Sequence, residues 1–101
     1  MNDQQYAAIT RADAAKRIIE DPMVVEALQT IEDGITAAWK DVPTRDVEAR
    51  EHLHRLLQAK QRFESIFHLV LQDGELARAE LRSEEERKSF LARIKDRVHG
   101  N

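Results

Sequence analysis

The sequence predicts an all-α fold: an antiparallel helical hairpin with a long central helix, plus shorter N- and C-terminal helices. Three observations carry this. Only three Gly and two Pro occur in 101 residues, while Ala, Leu, Glu, Arg, Gln and Lys abound, so few positions break a helix and many favour one. Residues 46–73 contain neither breaker, and Ala49, Leu53, Leu56, Lys60, Phe63, Phe67 and Val70 recur in steps of four and three, the spacing of one helix face. Residues 22–41 keep the same rhythm with Val24, Leu28, Ile31, Ile35 and Ala38, running on to Val42. Two matched seams joined by the short segment Val42-Pro43-Thr44-Arg45-Asp46 are expected to fold back on each other.

Taken in order, residues 3–20 form a first helix on a thin face of Ala8, Ala12, Ala15 and Ile19. Small side chains bury little area, so this helix depends on docking. Asp21-Pro22 then marks a break and a restart, since Asp is a good N-cap and Pro suits the first helical position. Pro43 ends the second helix, and Thr44 or Asp46 can cap the third. Gly34, inside the second helix, costs up to about 1 kcal/mol relative to Ala and suggests a close helix crossing. The long helix outruns its hairpin partner, because about 20 residues span only roughly 30 Å. Its far end, near Phe67, Val70 and Leu71, therefore needs cover from the first helix or from a partner subunit.

Beyond Asp73 two courses are open. Gly74 can act as a C-cap, or the seam can run on through Gly74, Ala77 and Leu81 in a bent, continuous helix. Ser83 with Glu86 makes a capping box, which predicts a fourth helix over residues 84–98 with an apolar stripe of Phe90, Leu91, Ile94 and Val98. The expected layout is one helical domain, residues 1–101, with helices at about 3–20, 22–41, 46–73 and 84–98.

Composition excludes several function classes. Charged residues make up 35% of the chain, but both signs are mixed and the net charge is -3, so no dominant nucleic-acid footprint exists. Without cysteine there is neither a disulfide framework nor a thiolate metal site. No leader-like apolar stretch or membrane-length run is seen, and a soluble, intracellular product is expected. No Gly-rich phosphate loop, nucleophile with its base, or buried carboxylate pair is recognisable, so no catalytic residue and no cofactor are expected.

Several residues are weighed singly. Glu51 and His54 have the Glu-x-x-His spacing of di-iron bundles, but one motif on the outer face suits a solvated surface better. Glu48 with His52 and Glu64 with His68 are spaced as helix-surface pairs, and so are Asp46 with Arg50 and Glu51 with Arg55. Lys60 interrupts the long seam, where a polar side chain sets register or its stem snorkels. Trp39 flanks the second seam as an edge-of-core residue or an interface anchor. The interface candidates are Trp39, Phe67, Val70, Leu71, Phe90 and Ile94, and Arg93, Lys95 and Arg97 are candidate phosphate contacts.

Asp21-Pro22 opening a helix, Ala27-Leu28 and Trp39 within it, a Pro-containing loop, Asp46, Arg50-Glu51, a long helix and then Gly74-Glu75-Leu76-Ala77 form a pattern. Over roughly residues 18–78 it resembles short helical proteins encoded among the structural and packaging genes of tailed bacteriophages and prophages. The resemblance implies a virion or head-assembly context and carries no catalytic residues with it. The expected partners are a second copy or other virion proteins, with nucleic acid a less favoured partner and no membrane. Two alternatives stay open: a DNA-handling packaging subunit using the C-terminal basic residues, and a small phage-encoded inhibitor of a host protein.

Overall fold

The computed structural model describes residues 1–99, which form three α-helices: α1 (Asp3–Ile19), α2 (Pro22–Asp41) and α3 (Val47–His99). Each start has a local cause. Asn2 caps α1, accepting from the Gln5 amide at 2.7 Å while the Gln5 side chain accepts from the Asn2 amide at 3.1 Å, the reciprocal capping arrangement. Asp21 caps α2 through the Met23 amide at 2.8 Å, with Pro22 at the first position. Asp46, of the two candidate caps, closes the start of α3 by accepting from the Ala49 amide at 3.1 Å.

Both shorter helices run antiparallel to α3 and lie one after the other along it. Lys60 meets Glu32 from α2, Arg78 meets Asp13 from α1, and Gln5 reaches Glu80 and Glu84, so residue numbers fall along one limb as they rise along the other. The molecule is a two-layer rod of 84 × 25 × 20 Å, and the 53 residues of α3 account for its length at about 1.5 Å each. One limb is unbroken, and the other is broken once at Asp21-Pro22.

The thin face of α1 docks at its far end through a close crossing. Gly74 is buried there, and a Cβ added to it would overlap the Cβ of Ala12 and sit 3.3 Å from the Ala8 carbonyl oxygen. Ala12, Ala15 and Ala77 are buried along the same contact. Small side chains let two backbones approach, so this helix gains through proximity what it lacks in apolar bulk. Expected cover for the far end of α3 is thus supplied in part by α1, and Phe67, Val70 and Leu71 are left half-buried.

Three sequence expectations need correction. The separate fourth helix does not form: α3 passes unbroken through Gly74 and Ser83, because helix formers on both sides make continuation cheaper than stopping, and Ser83 stays exposed instead of capping. Gly34 marks no crossing, since nothing lies within 4 Å of a Cβ placed there. The tight crossing belongs to Gly74. Finally, of the four helix-surface pairs expected only Glu51 with Arg55 forms among the described residues, and Glu64 is held by Lys60 at 3.0 Å instead of by His68.

Candidate interaction surfaces

Two layers cannot close a core, and the α2–α3 half of the rod shows the consequence. Of its apolar side chains only Leu53 is buried. Ile31, Leu56 and Phe63 are each between two-fifths and half exposed and line, with Leu28, Ile35 and the stem of Lys60, an apolar groove of about 270 Å³. Phe63 is steadied by Phe67, their rings 5.0 Å apart and tilted at 57°, a favourable aromatic geometry. A second groove of about 260 Å³ opens beside Trp39, Leu53 and Leu57. Trp39 itself is 50% exposed and overhangs a broader, more polar depression with Val47, Arg50, Glu51 and His54. Arg50 Nε is enclosed there without a hydrogen-bond partner among the described residues.

Lys60 organises the first groove. Its side chain is only 9% exposed, and its ammonium bridges Glu64 at 3.0 Å and Glu32 of α2 at 3.4 Å. The seam lysine is therefore held by a carboxylate from each limb, which fixes the α2–α3 register. The hydrogen bond to Glu64 and then the attraction of both carboxylates raise its pKa above the ordinary lysine value, against the desolvation that lowers it.

The other candidates are dispersed. Glu51 and His54 are exposed but border the depression beside Trp39 instead of the outer face expected for them, Glu51 is 3.6 Å from Arg55, and no group of three metal-ligating side chains exists among the described residues. Arg93, Lys95 and Arg97 are exposed, but at about 100° per residue Lys95 faces away from Arg93 by about 200°. They do not form one basic patch.

Residues 85–98 form an arm of α3 beyond its last hydrogen bond with α1, which is Gln5 to Glu84 at 3.4 Å. Phe90 and Ile94, 55% and 41% exposed, stand on it with Leu91 and Val98. No family model, curated protein or solved structure matches this chain. No described helix is long and apolar enough to cross a membrane. Sequence reasoning missed one surface: Leu69 and Leu76, each 60% exposed, stand on one flank of α3, where Leu76 borders a depression shared with Gln5 and Ala8 of α1. Their step of seven was visible, but it lay outside the dominant seam.

Proposed function

We propose that this chain is a non-enzymatic assembly protein that acts by helix-mediated self-association or by docking on a larger assembly, with the open α2–α3 groove as its primary contact surface. One observation supports this above the others. The accessible surface is 8380 Å², whereas a compact monomer of 11.7 kDa exposes about 5900 Å². The surplus, on the order of 2500 Å², exceeds what each partner gives to an ordinary stable interface, about 800 Å². Much of it is apolar, and soluble monomers seldom keep such faces open. The likeness of residues 18–78 to small proteins of tailed-phage structural gene clusters supplies the context, a virion or head-assembly accessory.

Light scattering across a concentration series tests the reading. The expected result is a mass of at least two chains, reduced when Ile31→Lys places a charge in the groove. A mass of one chain at every concentration, together with no binding to purified virion or procapsid components, overturns it.

A further inference from the structure

The arm of α3 turns its apolar stripe away from the face that α1 covers. Ile94 follows Gly74 by twenty residues, about 200° around the helix, and follows Leu76 by eighteen, in line with it. The stripe of Phe90, Leu91, Ile94 and Val98 therefore continues the flank of α3 that carries Leu76, Glu80 and Glu84, past the point where Gln5 of α1 meets those glutamates, and Phe90, Leu91, Ile94 and Val98 are all exposed. Its flanks carry charge in a definite order. Glu84 and Glu86 border the stripe at its start and Lys95 and Arg97 border it at its end, with Lys88 and Arg93 farther out on the same flanks and Arg87 on the stripe itself, seven residues before Ile94. By helical angle Glu84 and Lys95 share one flank, while Glu86 and Arg97 share the other.

That order fits one occupant. A second arm laid antiparallel on the first, with Leu91 near the two-fold axis, sets Glu86 against Arg97 of the other copy and Glu84 against Lys95. Each of these four charges is then answered once by the other copy, each kind of pair occurring twice, and the apolar stripes face each other. A parallel pair would set each charge against its own kind. We propose that the arm of α3, residues 85–98, is a self-docking element that pairs antiparallel with the arm of a second copy. It rests on the self-association reading but assigns that association a second site, distant from the groove.

The full-length chain tests this, and its lack of cysteine makes thiol cross-linking clean. Ile94→Glu is expected to raise the concentration of half-association on the order of tenfold or more, with far-UV circular dichroism falling by no more than the arm's own helix content because the arm holds nothing else in place. Glu84→Lys/Glu86→Lys and Lys95→Glu/Arg97→Glu chains are each expected to lose arm pairing, and an equal mixture to regain it. Oxidised Ser83→Cys chains should not cross-link to one another but should cross-link to Val98→Cys chains. Arm-paired dimers, two 84 Å rods sharing about 22 Å of helix, should reach a radius of gyration of roughly 40 Å in X-ray scattering.

The outcomes separate the two readings. Association that survives Ile94→Glu but not Ile31→Lys overturns the arm proposal and leaves the groove standing. Loss with Ile94→Glu but not Ile31→Lys supports the arm and removes the groove. Self-linking of Ser83→Cys overturns the antiparallel pairing, and a wild-type mass of one chain throughout overturns both.

Discussion

Glycine sits inside a helix at two places, and substitution by alanine has opposite expected signs at the two. At Gly34 an added methyl meets nothing within 4 Å, so Gly34→Ala should stabilise the fold by up to about 1 kcal/mol through helix propensity and a less flexible unfolded chain. At Gly74 the same methyl collides with Ala12, and forced separation of packed helices costs about 1–3 kcal/mol, more than propensity returns. Urea melts of both variants check this; a stabilised Gly74→Ala would mean that the crossing is looser than described. Helix periodicity could not tell the two glycines apart, because what decides is the partner across the gap, and that depends on how α1 lies. Lys60 was legible as the exception in its seam, whereas its Glu32 partner on another helix was not. Since its pKa is raised in the fold, the stability it contributes is complete below the ordinary lysine value and is lost as pH rises through the higher folded value. Wild type should therefore lose stability relative to Lys60→Met as pH rises above the ordinary lysine value, where the variant's profile should be flatter.

Among the elements, α1 was readable from spacing and α2 from its cap and spacing; α2 starts where Asp21-Pro22 places it, whereas the Asn2–Gln5 capping box that opens α1 went unread. The course of α3 was harder to read. The Ser83–Glu86 box signals a start as strongly as any other in the chain, but a capping signal stops a helix only when the residues before it gain by leaving helical geometry, and Glu75 to Arg82 do not. Continuity has a measurable consequence. No hydrogen bond or ion pair joins the arm beyond Glu84 to another helix among the described residues, and isolated helices of about 15 residues are marginal in water. In dilute solution the amides of residues 88–98 should exchange with solvent far faster than those of residues 53–80. Their protection should rise with protein concentration if arms pair. Protection equal to that of the rod at the lowest concentrations would mean that the arm is held by contacts within its own chain.

The whole molecule has a Cα radius of gyration of 23.3 Å, where a compact domain of this length would have about 13 Å. Sequence spacing announced two long limbs but not that α1 and α2 would line up end to end on the same rail. The thin alanine face of α1 looked like a weak cap for a bundle, and only the match of Ala8 and Ala12 to Gly74 makes it an extension of the hairpin. X-ray scattering on a sample shown to be monomeric, such as the Ile31→Lys/Ile94→Glu double variant, should return a profile with a cross-section of two helices. A globular profile would contradict the arrangement. The unbroken third helix also makes the spacing between its two ends a matter of counting. Groove residue Leu56 and stripe residue Ile94 are 38 positions apart, roughly 57 Å, with no hinge between them. Deleting seven residues from the middle of that stretch would bring the two grips about 10 Å closer at nearly the same bearing, and deleting five would turn one by about 140° relative to the other. The chain behaves as a gauge whose pitch and phase are both written in residue number.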